Sequence, residues 1–287
     1  MYVSVRDCML PVMGKADPCE ALAALGLSAV ELTVARPTSV AWVAAGEKKT
    51  FSLAARKDVA ALKAALSEQK VMASALLMAN DFSSDDFEGE VKALTVTCQA
   101  AEQMGVPAVR IDLVPHKGGM PEDQFVERCA DATRRAIAAC SDVDLAIENH
   151  GSTSNRPEFL EKVFGATGEK RLGLTLDTGN FYWYGHPLKQ VYAIMEKYAD
   201  RVYHTHVKNI SYPAEMRNTR REVGYKYGEY VCPIYEGDVD HKRVVAILEK
   251  VGYARDLCIE DEGLGKFSEA ERRDVLVKDA QHLKSLV

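Results

Sequence analysis

Eight short apolar runs alternate with amphipathic stretches of helical period from one end of this chain to the other. That alternation limits the fold more than any single residue does. The runs cover residues 2–8, 29–33, 71–77, 108–113, 144–149, 172–177, 201–208 and 257–261. Between them the period changes. Phe87, Val91, Leu94, Cys98 and Ala101 recur in alternating steps of four and three, so they share one helical face. Gly105 is a suitable left-handed stop for that helix. Pro157 and Pro187 stand where a first helical turn begins, each ahead of an apolar stripe. A further helix is expected over residues 240–251, ending at Gly252, and another over the last twenty or so residues.

Strand–helix units in strict alternation predict a parallel sheet, and their number favours closure into a single (β/α)8 TIM barrel over residues 1–287. An open doubly wound sheet would need a glycine-rich phosphate turn after the first strand, and none is present. A chain of 287 residues with 47% hydrophobic content can bury one large core. Residues 209–238, after the seventh barrel strand, form an unusually long connection rich in Tyr, Arg and Gly; such loops often act as lids or binding loops.

The net charge of −6 argues against a nucleic-acid partner. Seven cysteines without a CxxC pair argue against a disulfide framework and for a reducing cytoplasm. No stretch approaches roughly 18 uninterrupted apolar residues, so neither membrane spanning nor secretion is expected.

Side chains alternate faces along a strand. In residues 172–177, Gly173, Thr175 and Asp177 oppose Leu172, Leu174 and Leu176. Ala146, Glu148 and His150 oppose Leu145 and Ile147, and Cys258, Glu260 and Glu262 oppose Leu257 and Ile259. The same rule sets Arg110 and Asp112, and Glu31, on one side of their strands. Each time a polar group comes late in the strand, at the end where barrel enzymes place their chemistry. Glu148, Asp177 and His206 are evenly spaced, each about one βα unit from the next. With Glu260 they propose a hard-metal site of three carboxylates and one imidazole. That donor set favours Mn²⁺, with Mg²⁺, Co²⁺ or Zn²⁺ as alternatives. Three converging carboxylates would repel one another without a cation.

At these residues the chain resembles the sugar isomerase/epimerase superfamily of xylose isomerase-like TIM barrels. The resemblance rests on ENHG (Glu148 to Gly151), LDTGN (Leu176 to Asn180), HVKN (His206 to Asn209) and the last βα unit from Gly237 to Glu262. It implies Glu148, Asp177, His206 and Glu260 as metal ligands, with Glu148 and Glu260 doubling as catalytic proton-transfer groups. It further implies a sugar or polyol substrate, proton abstraction beside a carbonyl and a metal-bound enediolate. Isomerisation or epimerisation is the first expectation, and dehydration of an inosose or 3-oxo-sugar the second. His150, Asn180, Lys208 and His204 are the candidate substrate-binding residues. Departures from the ketose 3-epimerase pattern occur at Ser154 in place of glutamate, Asn180 in place of histidine and Tyr212 in place of arginine. Asn209 likewise replaces an aspartate. Relatives that incise abasic DNA carry extra histidines, whereas His116 and His241 lie outside any strand tip here. A homodimer or higher homo-oligomer is compatible with such a barrel.

Overall fold

A computed structural model describes residues 1–116 and 118–287. From the N-terminus, β1 (Tyr2–Arg6), α1 (Pro18–Leu25) and β2 (Ala29–Ala35) precede a hairpin of β3 (Ser39–Ala44) and β4 (Glu47–Ser52). The order continues with α2 (Arg56–Glu68), β5 (Met72–Met78), α3 (Phe87–Met104), β6 (Ala108–Ile111), α4 (Glu122–Ala138), β7 (Asp144–Glu148), α5 (Pro157–Thr167) and β8 (Leu172–Asp177). The one-turn α6 (Asn180–Trp183), α7 (Leu188–Tyr198), β9 (Val202–His206), β10 (Asn209–Ile210), α8 (Tyr227–Tyr230) and β11 (Val231–Cys232) follow. α9 (His241–Lys250), β12 (Asp256–Ile259) and α10 (Glu269–Lys284) complete the order. All eight anticipated strands are present, as β1, β2, β5, β6, β7, β8, β9 and β12, with ends that differ by a residue or two.

Local chemistry explains where the helices start and stop. Asp86 caps α3 by accepting the Gly89 N–H, and Gly105 ends it at φ 80°, a backbone state costly for any side chain. Ser268 and Glu271 form a reciprocal capping box on α10. Pro157 opens α5, and Pro187 precedes the first residue of α7. Among the described residues, no helix is long and apolar enough to cross a membrane.

The chain divides into two compact units, Glu31–Thr175 and Met1–Val30 with Leu176–Val287. Within the unit Glu31–Thr175, β5, β6, β7 and β8 run parallel in sequence order, with Leu76 beside Val109, Val109 beside Leu145 and Ile147 beside Leu174. β6 and β8 are buried along their whole length, as expected of parallel strands covered on both faces. The β3–β4 hairpin is absent from the sequence-based expectation. It turns through Ala45 and Gly46, both at positive φ, and adds antiparallel strands beside β2. Its signal was the alternation of buried Val40 and Trp42 with Ala41 ahead of a glycine.

In the other unit, β1 pairs in parallel with β12, Val3 beside Leu257 and Val5 beside Ile259. β12 meets β9 where Val207 N–H donates to Cys258 O at 2.7 Å and Glu260 N–H to Val207 O at 3.0 Å. Thr178 N–H, just past β8, donates to His206 O at 2.9 Å. The long connection is largely ordered. β10 and β11 pair antiparallel, and Asn209 knots the segment: its amide donates to Ile234 O at 2.9 Å and Val239 O at 3.0 Å and accepts from Val239 N at 3.0 Å. A carboxylate could accept there but not donate, which accounts for Asn209 in the HVKN run.

Candidate active site

Asp177 ends β8 and is fully buried. Its Oδ1 accepts the N–H groups of Gly179 and Asn180, both at 2.8 Å, so the TGN run folds back to orient the carboxylate. His206 ends β9, also fully buried, and Glu260 directly follows β12. One ligand atom from each of Asp177, His206 and Glu260 lies within 4.8 Å of the others. Within this unit, Asp177, His206 and Glu260, all expected to hold a metal, thus come together, each at a different strand end.

Lys208 lies among them. Its Nζ is 3.0 Å from Asp177 Oδ2, 3.3 Å from Glu260 Oε2 and 2.8 Å from Glu262 Oε1. Burial alone lowers the lysine's pKa, but Asp177, Glu260 and Glu262 together hold it well above the ordinary value. Glu260 shows the converse. Burial pushes its pKa up, yet Lys208, His206 and Arg6 outweigh it and hold the carboxyl well below the usual range. Arg6, at the end of β1, makes an ion pair with Glu260 Oε1. Glu260 Oε2 accepts no hydrogen bond of good geometry among the described residues, although His206 Nδ1 is 3.3 Å away and Lys208 equally near. An oxygen facing two cationic or ligating groups without a hydrogen bond suits a metal ligand. An ammonium resting between two carboxylates is a stand-in for a cation. The donor set fits a divalent ion.

His204 lies one step deeper on β9. Its Nδ1 is 2.9 Å from Asp256 Oδ1, and Ser4 Oγ donates to the other oxygen of Asp256 at 2.5 Å. His204, His206 and Cys258 form a second buried group with ligand atoms within 4.8 Å of one another. The Asn180 side chain is buried in the first turn of α6.

Glu148 belongs to the other unit, where it ends β7 opposite Thr175. It is 3% exposed and receives Arg110 Nε at 2.6 Å. Burial would favour loss of the arginine proton, but Glu148 and Asp112 hold the guanidinium charged. His150 stands at the surface with Nδ1 2.9 Å from Asp112 Oδ2, a contact that raises its pKa. Ser154 brackets the ENHG turn, its hydroxyl meeting Glu148 O at 2.8 Å, His150 O at 2.9 Å and His150 N at 3.0 Å. Asn80 has a turn role, exchanging two hydrogen bonds with the Asp112 backbone.

Three groups beside the carboxylates were not anticipated in these roles: Arg6, Glu262 and Tyr227. Arg6 was legible. The face rule applied to β1 sets Tyr2, Ser4 and Arg6 opposite Val3 and Val5. Tyr227 was not, because its contact depends on the path of a long connection.

The family model for xylose isomerase-like TIM barrels matches residues 19–286. The chain belongs to that family. Its fold is therefore the α/β TIM barrel of xylose isomerase-like type. An inosose dehydratase of Glaesserella parasuis is 25% identical over 131 residues, 44% of this chain and 43% of that protein. The chain thus matches less than half the length of that relative. An inosose dehydratase of Clostridium beijerinckii is 22% identical over 226 residues, 72% of this chain and 74% of that protein. Among solved structures, the IOLI protein with a bound zinc atom superposes with a TM-score of 0.69 at 14% identity, covering 98% of this chain and 97% of that one.

Proposed function

We propose that this protein is a divalent-metal-dependent enzyme that removes the proton from the carbon beside a carbonyl in a polyhydroxylated substrate, and that it dehydrates an inosose. The convergence of Asp177, His206 and Glu260 around a buried cationic group carries the reading. We assign Glu148 as the fourth ligand. Thr175, its neighbour across the β7–β8 ladder, shares a face of β8 with Asp177 two residues on, which supports that assignment. A divalent ion held by these four residues would polarise the carbonyl and acidify the adjacent C–H.

The remaining work falls to the side chains. Glu148 and Glu260 each pair with an arginine, and each offers a carboxylate oxygen that is able to accept a proton. The glutamate that takes the α-proton returns it to the hydroxyl departing from the next carbon, which leaves as water. Lys208, held charged, sets its positive charge beside the oxygen on which negative charge builds. The relatives named inosose dehydratase favour elimination, as do Ser154, Asn180 and Tyr212 at the positions that differ from the epimerase pattern. A second reading, isomerase or epimerase, is favoured by the two arginine-paired glutamates, because inversion requires two bases.

The test is a 2-keto-inositol and a set of ketoses incubated with the protein and Mn²⁺, Co²⁺ or Zn²⁺ in heavy water, followed by NMR. Dehydration predicts loss of the β-hydroxyl carbon signal and absorbance from a conjugated dione. Epimerisation predicts deuterium at carbon without loss of water. Chelation should abolish either outcome and added metal restore it. No deuterium uptake from any substrate would overturn the proposal.

A further inference from the structure

Tyr227 belongs to the long segment after β9, yet its hydroxyl hydrogen-bonds Glu262 Oε2 beyond β12. Glu262 Oε1 in turn holds Lys208 Nζ at 2.8 Å, and Lys208 touches Asp177 and Glu260. The Lys208 side chain is 4% exposed and that of Glu262 39%, so these contacts lead from buried carboxylates to the surface. We propose that Tyr227 and Glu262, anchored on Lys208, form a specificity wall that binds two neighbouring hydroxyl groups of a neutral polyol and disfavours phosphorylated substrates. This rests on the proposed reading for its substrate class.

The hydrogen-bond inventory carries the argument. Lys208 Nζ donates to Glu262 Oε1 and rests against Asp177 and Glu260, and the Tyr227 proton is directed at Glu262 Oε2, so neither Tyr227 nor Glu262 has a proton left to give. What the wall can still offer is acceptors: the remaining lone pairs of the Glu262 carboxylate and those of the Tyr227 oxygen. Such a surface matches hydroxyl donors. A phosphate brings more acceptors and negative charge to a wall that already presents a carboxylate, and is repelled.

The backbone that presents Tyr227 is built to hold it. The Arg221 guanidinium packs against both Tyr182 and Tyr212, 4.4 and 4.3 Å from their ring centroids, and donates to Tyr182 O and His186 O at 3.0 Å each. Tyr212 OH donates to Tyr225 O at 3.3 Å. Lys226, immediately before Tyr227, is held at φ 44°, a left-handed state uncommon for a side-chain-bearing residue and frequent at ligand clamps.

Calorimetric titration of the full chain with myo-inositol, with an inositol monophosphate and with Mn²⁺ tests the wall without turnover. The wild type should bind inositol, and bind the phosphate at least about tenfold more weakly. Tyr227→Phe and Glu262→Gln should each weaken inositol binding about tenfold, roughly one hydrogen bond's worth. Tyr227→Phe should leave Mn²⁺ affinity within about twofold. It removes a single oxygen, so it decides the matter if Glu262→Gln fails to fold. Equal inositol affinity in Tyr227→Phe and wild type overturns the wall, as does tighter binding of the phosphate or no binding of inositol. The metal arm is separate: a wild type that binds inositol as described but no Mn²⁺ keeps the wall and removes the metal reading.

Discussion

Lys208 shows how one side chain can hold a cluster of opposite charge together. Three carboxylates face its ammonium, those of Asp177 and Glu260 buried, so removing the ammonium takes away charge compensation that all three share. Lys208→Met should therefore lose about 3 kcal/mol or more of unfolding free energy in the presence of a chelator. Saturating Mn²⁺ should recover much of that loss, because a bound ion takes over the neutralising role. Denaturant titrations with and without metal measure both quantities, and an equal loss in the two would speak against a cation site. Glu260→Gln probes the chemistry rather than the charge balance. It should lower deuterium exchange at the substrate carbon by about a hundredfold or more. Retained exchange would assign the base elsewhere. Asp177 illustrates what a sequence run can tell. LDTGN announced a turn and a carboxylate, and the two backbone N–H groups that orient that carboxylate come from the same run. Two-residue spacing sets Lys208 on the same side of the chain as His206, but its three partners come from the end of β8 and from the residues just after β12. Local spacing has no access to such contacts.

At the scale of elements, the connection between β9 and α9 is the part whose internal structure the sequence described least. Its length and composition suggested a lid or a binding loop. In the structure it is a pinned assembly of β10, β11, α8 and stacked tyrosines, with Tyr225 and Tyr230 at 6.3 Å and nearly parallel. One close approach fixes its path. Gly185, at φ 100°, passes so near the connection that an added Cβ would sit 2.1 Å from the Arg221 carbonyl oxygen. Gly185→Ala should cost about 2 kcal/mol or more and make the segment near Arg221 the first site cut in limited proteolysis. Unchanged stability and cleavage would show that the segment is held from elsewhere. Strands were easier to read than this connection. A parallel strand buried on both faces declares itself as an apolar run, whereas a pinned loop draws its order from contacts remote in sequence. The β3–β4 hairpin lies between these cases, with a short alternation and a glycine turn masked by the stronger βα rhythm around it.

For the molecule as a whole, pH enters through a buried acid pair that the sequence did not reveal. Asp279 on α10 is held up to about 9, first by burial and then by Asp261, whose own carboxyl burial also pushes up. Asp279 Oδ1 accepts the Ile234 N–H at 2.8 Å, tying α10 to the end of the long connection. The native state thus keeps a proton that the unfolded chain releases near the ordinary aspartate value of about 3.9. A raised folded-state value means its stabilisation is complete at low pH and is lost as pH climbs through about 9. Unfolding free energy should therefore fall with rising pH across that window. Asp279→Asn, whose amide can still donate to Asp261, should flatten the slope. Parallel slopes in the two proteins would rule out a shared proton.

The eight strands and the ionisable residues late in several of them followed from the sequence because both are written in short-range patterns: alternation along a strand and helical period between strands. Arg6 on Glu260, Tyr227 on Glu262, the Lys208 cluster and the Asp261–Asp279 pair were decided only by the tertiary structure. Each joins residues brought together by the path of the whole chain, and no local period records which distant side chain will arrive opposite.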